Sequence, residues 1–166
     1  MIERVALGIY LNDHLAGSVA GLEAMERLRD AHQDTPLGRA LDVLRRGAQH
    51  DQDVLRELLL SIDVAERSTH KTLAWIGEKV SRMKLSVDSE DAGDVSFFEA
   101  IETLTLAFRG RIALWTMLAT IGPELRSRFD FSGLARQVEA HLAVLEAYRL
   151  AAGRDALTTR TAPVTA

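Results

Sequence analysis

Between Leu37 and Ile62 the apolar residues advance by fours and threes through Leu41, Leu44, Ala48, Leu55 and Leu58, and the member that completes the series is Asp51. Spacing of four and three marks one face of a helix packed lengthwise against other helices. A carboxylate on that face needs a partner, because an unpaired buried charge is costly. Three further ionisable residues, His14, Arg111 and His141, interrupt comparable series elsewhere. The pattern describes packed helices around a buried polar layer, and no known catalytic motif accompanies it.

A chain of 166 residues with 47 % hydrophobic and 27 % charged residues is expected to form one soluble domain with a full core, here residues 1–157. Three prolines, few aromatics and much Ala, Leu, Arg and Glu favour helix throughout. The absence of cysteine excludes disulfides and thiolate chemistry. A formal net charge of -4 argues against a nucleic-acid partner. Met1–Tyr10 carries Glu3 and Arg4 and has neither a long apolar run nor a cleavage site. No stretch approaches the roughly 20 apolar residues that span a bilayer, so no membrane association and a cytoplasmic location are expected.

The first helix is predicted to start within Ile2–Tyr10, with Asn12 as an alternative cap, and to reach about Asp30. Its seam is Leu7, Leu11, His14, Ser18, Gly21, Met25 and Leu28, and Gly17 and Gly21 stand four apart on it. Gln33-Asp34-Thr35-Pro36 is a break, with Thr35 suited to an N-cap and Pro36 to the first helical position. The second helix then runs to about Ser61. A shorter amphipathic helix is expected near Ser68 to Lys84, basic on one face, followed by an acidic loop over Ser86–Asp94. The third long helix is placed from Asp94 or Ser96 to about Ile121, with the seam Phe97, Ile101, Leu104, Phe108, Arg111, Trp115 and Leu118. Gly122-Pro123 ends it or begins a turn, and the fourth helix runs from Asp130 or Ser132 to about Gly153. Thr158–Ala166 has no apolar period and reads as a disordered tail. The fold class is therefore all-α: a four-helix bundle of two hairpins, joined by a long connection holding one short extra helix. If that connection runs the length of the bundle, the second and third helices are parallel; if it folds back, the topology is plain up-down-up-down.

Hairpin geometry supplies a rough register. With the first turn centred near residue 33, His14 faces Asp51; with the second near residue 126, Arg111 faces His141. His14, Asp51, Arg111 and His141 thus form one candidate buried layer.

The segment Leu11-Asn12-Asp13-His14-Leu15-Ala16 resembles the first-helix signature of the ferritin-like superfamily, in particular the bacterioferritin type of di-iron bundle. Ser18 then falls where that family places its first metal-binding glutamate. Aligned on Leu55, Ala48 and Asp51 take the Glu-x-x-His positions of the second helix; aligned on Leu145, Val138 and His141 take those of the fourth. In the third helix Glu102 lies near the required position, beside the seam. The resemblance implies a ferritin-like bundle with a crossover, and its departures imply a lost metal centre. Such a site needs about four carboxylates and two histidines, whereas no histidine here has an acidic residue three positions before it. Arg111 adds a cation, which repels metal and pairs naturally with Asp51. No cofactor and no metal are expected; were a metal bound, Asp51, His14 and His141 would be its candidate ligands.

Other clusters carry less chemistry. His50, Asp51 and Asp53 point in different directions on a helix. Glu66 with His70 reads as a surface pair, Glu99 with Glu102 as a solvated face, and Trp75 and Trp115 as packing residues. Phosphate-loop, dinucleotide, nucleophile-elbow and zinc-protease motifs are absent. The expected function is binding or assembly through self-association, as a homodimer, rather than enzymatic catalysis. The alternative is a metal-binding ferritin-like oxidoreductase or storage protein with atypical ligands. A protein partner at the basic short helix is a further expectation. Apolar residues beyond the seams, Leu59, Leu60, Phe98, Leu106, Ile112 and Leu114, motivate the self-association.

Overall fold

A computed structural model describes residues 2–66 and 90–158. Among the described residues there are five helices and no strand: α1 (Arg4–Ala31), α2 (Pro36–Ser61), α3 (Glu90–Thr120), α4 (Pro123–Arg126) and α5 (Phe131–Leu157). The expected short helix at Ser68–Lys84, Trp75 and His70 lie outside the described residues, as do residues 159–166 of the expected tail. No described helix is long and apolar enough to cross a membrane.

Each long helix whose start is defined begins on a side chain that accepts from exposed backbone N–H groups. Glu3 accepts from Val5 N (3.1 Å) and Ala6 N (2.5 Å), Thr35 from Gly38 N (3.1 Å), and Asp130 from Gly133 N (2.8 Å). Asn12 is no cap: it is buried within α1, and its Nδ2 donates to Gly8 O (2.9 Å) and Ala65 O (3.3 Å). At the end of α2 the chain turns through Asp63, with φ 55°. There Asp63 N donates to Leu60 O (3.2 Å) and Val64 N to Leu59 O (3.0 Å), a Schellman closure with aspartate in glycine's usual place.

Three boundaries differ from the sequence expectation. Residues 90–94, expected in an acidic loop, already belong to α3. Gly153 does not stop α5, which continues to Leu157. The Phe98 ring lies against Gly153, where a Cβ would come within 2.9 Å of Cε2, so this glycine serves a close approach between helices. Gly122-Pro123 both ends α3 and opens the single turn of α4, with Gly122 at φ 60°.

α3 packs most extensively on α5 and α1 on α2, while the two hairpins meet more lightly through α1 against α3 and α2 against α5. Contacts at the ends fix direction. Ile2, before α1, lies against Gly122, just past α3. The His32 ring, in the α1–α2 turn, lies 5.0 Å from that of Phe97 near the start of α3. α1 and α3 are thus antiparallel, and α2 and α3 run the same way. The core between these helices is mostly Leu with Met25, Phe108, Trp115 and Phe131; Trp115 is fully buried and stacked on Phe131 at 6.1 Å between centroids. Leu59 and Leu114, read from sequence as surplus apolar surface, are part of this core, whereas Leu60 and Leu106 are exposed.

Candidate functional site

The helical face that buries Leu44, Ala48, Leu55 and Leu58 also carries Asp51 inward, and its exposure is 2 %. Across the centre, α3 supplies Arg111, 8 % exposed, whose Nη1 donates to Asp51 Oδ2 at 3.1 Å. The guanidinium also lies 4.6 Å from the Phe108 ring centroid, one turn back on the same helix, a cation–π contact that strengthens when desolvated. Burial pushes the Asp51 carboxyl up from its ordinary value, against the opposing pull of Arg111, and burial likewise lowers Arg111. Arginine keeps its proton in proteins, and its charge favours the ionised form of Asp51 against the burial.

His141 reaches this centre from α5. Its ring sits directly over Gly47 of α2, where any Cβ would overlap it, and meets the Phe108 ring edge-on at 6.5 Å. Burial lowers its pKa; Asp51 raises it and Arg111 lowers it again. Asp51 Oδ1, Trp115 Nε1 and His141 Nδ1 are all buried without a hydrogen-bond partner. The Trp115 N–H still helps to stabilise the Asp51 carboxylate, although it falls short of hydrogen-bond geometry.

His14 is placed differently from its expected register. Gln52 Nε2 donates to Ser18 Oγ at 3.0 Å, so the residue beside Asp51 meets α1 one turn beyond His14. His14 packs edge-on against Tyr10 at 4.7 Å, and its lowered pKa comes from burial, opposed by Asp13, with no contribution from Asp51 or Arg111. Of the four expected layer residues, then, Asp51, Arg111 and His141 sense one another and His14 stands apart. The Glu99/Glu102 pair also separates: Glu99 is exposed, whereas Glu102 accepts from Arg149 Nη1 at 3.4 Å, beside the Arg149–Glu146 pair. Glu66, expected beside His70, lies 3.6 Å from Arg56.

His14 and the ion pair do share a cleft of about 390 Å³ between α1 and α3. α1 contributes Gly17, Ala20, Gly21 and Ala24 to its walls, α3 contributes Thr103, Leu106, Ala107 and Gly110, and Asp51 and Arg111 lie beside Leu55 and Leu114. Nothing lies within 4 Å of where a Cβ would stand on Gly21 or Gly110, so both glycines open onto free space. Sequence reading flagged Gly17 and Gly21 by their spacing but passed over Thr103, Ala107 and Gly110 of α3, which advance by the same four and three. Volumes of roughly 300–1,000 Å³, largely apolar with a few polar groups, are typical of small-molecule sites.

The donors here do not fit a metal. Among the described residues no three His, Asp or Glu side chains converge as a ligand group, and the one buried carboxylate is held by a guanidinium. No protein-family model, curated protein or solved structure matches this chain.

Two outcomes follow. Removing one partner of a buried ion pair costs roughly 3–5 kcal/mol, whereas replacing both with apolar groups can be neutral. Urea unfolding should therefore show Asp51→Ala and Arg111→Met destabilised by that amount and Asp51→Leu/Arg111→Met close to wild type; wild-type midpoints for both single variants would refute the pair.

The histidines give a pH dependence. Because His14 and His141 are depressed in the fold, the unfolded chain takes up their protons first, near its ordinary value of about 6.5. The stability they contribute is present above that pH and is lost as pH falls below it. Asp51, raised by burial, acts with the opposite sign in the carboxylate range, so the measurement belongs between about pH 5 and 7.5. Melting temperature should decline across this window with a shallower slope in His141→Leu; an unchanged slope would remove His141 as a cause.

Proposed function

We propose that this chain is a ferritin-like four-helix bundle with one long crossover, in which an arginine–aspartate pair stands where di-iron relatives hold metal. Its work on this reading is binding, at the α1/α3 cleft, and not metal chemistry. The parallel run of α2 and α3 supports the crossover, since a short link could not join them. The observation that carries the binding reading is the cleft itself: about 390 Å³, walled by small residues from two helices, with a buried ion pair at its depth. Helices that pack through their glycines close the gap between them; here Gly21 and Gly110 face open space. The rival reading, an oxidoreductase or storage protein with atypical ligands, lacks a donor set among the described residues.

Self-association is the second reading, favoured by one specific feature. Leu106 (57 % exposed), Gly110, Ala113 and Met117 (52 % exposed) form a charge-free stripe on α3, continuous with the cleft. Sedimentation equilibrium at micromolar concentration would give twice 18.3 kDa if this stripe pairs two copies and 18.3 kDa if it does not.

The test of binding uses Nile red, an uncharged apolar dye whose emission rises on leaving water. Gly21→Leu adds a side chain whose first carbon has nothing within 4 Å of it, and replacing a mid-helix glycine favours the helix by up to about 1 kcal/mol. The variant should melt at or above the wild-type temperature and lose at least tenfold in dye affinity. Equal dye binding by both proteins would contradict the cleft as the site.

A further inference from the structure

The ion pair in the lining of the α1/α3 cleft offers hydrogen-bond donors and withholds acceptors. Arg111 and Asp51 both line the cleft and are both more than nine-tenths buried. A guanidinium has five N–H donors, and among the described residues Arg111 donates only through Nη1, to Asp51 Oδ2 at 3.1 Å. Its Nε and Nη2 bond to nothing among those residues and, unlike Arg45 Nε, keep some access to solvent. Asp51 is the reverse case. Its Oδ2 is engaged by the arginine, and its Oδ1 is sealed from solvent on the side of the Trp115 N–H. The carboxylate has no free oxygen to present, whereas one edge of the guanidinium remains unused.

The other polar groups of the lining do not reverse this. Ser18 Oγ donates to Leu15 O at 2.7 Å and accepts from Gln52 Nε2 at 3.0 Å. Thr103 stands eight residues before Arg111 on α3, about 12 Å along the helix. Charge selects as well. Burial lowers the pKa of His14, which keeps it neutral at neutral pH. Asp13, exposed at the rim, and Asp51 then stand against the one guanidinium. An anion at Arg111 would lie beside the Asp51 charge bonded to the same group, and a cation would meet the guanidinium with no free oxygen to hold it. Taking either out of water is costly without full compensation. A neutral oxygen acceptor avoids that cost and gains a charge-assisted hydrogen bond. Away from the ion pair the walls are mostly Gly, Ala and Leu, which suit an apolar body.

We propose that the α1/α3 cleft binds an uncharged, largely apolar molecule bearing a carbonyl oxygen, and that this oxygen accepts from the unused edge of Arg111. The proposal rests on the binding reading above and adds its ligand class. Asp51 thereby acquires a second use: it holds the guanidinium across the bundle, so the remaining donors are fixed before the ligand arrives.

The test compares four benzene derivatives that differ in the head group, acetophenone, isopropylbenzene, benzoate and benzylammonium, each displacing Nile red from the full chain at neutral pH. Acetophenone should displace the dye from wild type at a concentration at least tenfold below benzoate and benzylammonium. In Asp51→Leu/Arg111→Met acetophenone should weaken about tenfold, as loss of a hydrogen bond to a charged group predicts, while isopropylbenzene should not weaken. Benzoate or benzylammonium as potent as acetophenone overturns the uncharged ligand. Acetophenone losing no more than isopropylbenzene overturns Arg111 as the donor. Should the double variant fail to fold, the carbonyl carbon resonance of labelled acetophenone bound to wild type decides the same point. It should lie downfield of its position in hexane, as hydrogen-bonded carbonyls do, and a resonance at the hexane position overturns the contact. If none of the four displaces dye that Gly21→Leu nevertheless excludes, the ligand class is wrong and the cleft stands. If Gly21→Leu binds dye normally, the cleft reading fails first.

Discussion

The buried contact between Asp51 and Arg111 joins α2 to α3, two helices that otherwise share little packing because each lies mainly against other neighbours. It is therefore a tie between hairpins rather than within one. Removing both charges from water is expensive, and a single hydrogen bond at 3.1 Å does not by itself return a large surplus. What the pair adds is register. A slip of one turn, about 5.4 Å, between the hairpins would leave both charges buried and separated. Leucine faces alone penalise such a slip far less, since apolar contacts are non-directional.

The surroundings follow from that centre. Arg111 can cross the bundle because Phe108 lies under its guanidinium, and His141 approaches because residue 47 has no side chain. On the α1 side the small residues Gly17, Ala20, Gly21 and Ala24 provide no ridge for α3 to grip, so contact there is light and a cleft opens next to the charges. One arrangement thus fixes the register and leaves a cleft with the ion pair in its lining. Arg111 supplies the charge that compensates Asp51.

Much of this was legible in the sequence. The four-and-three spacing gave the long helices, Thr35-Pro36 gave the start of α2 to the residue, and Asp51 in a leucine series demanded a partner that Arg111 supplies. Helix ends were harder: Gly153 admits Phe98 instead of ending a helix, and residues 90–94 are helical instead of looping. Register along the first hairpin was legible only to within a turn, about 5 Å, because it was counted from the midpoint of the connection; Gln52 meets Ser18, one turn from His14. The cleft was the least legible feature. It depends on which small residues of two separate helices come level, and Gly21 gives no sign on its own that Ala107 or Gly110 will face it.

The central claim is that an ion pair built from the chain itself fills the place of a metal layer. Elemental analysis of protein purified without an affinity tag tests it most directly. Iron, manganese and zinc should each lie far below one atom per chain, before and after incubation with the metal salts and desalting. A content near one atom per chain that disappears in His141→Ala would contradict the account.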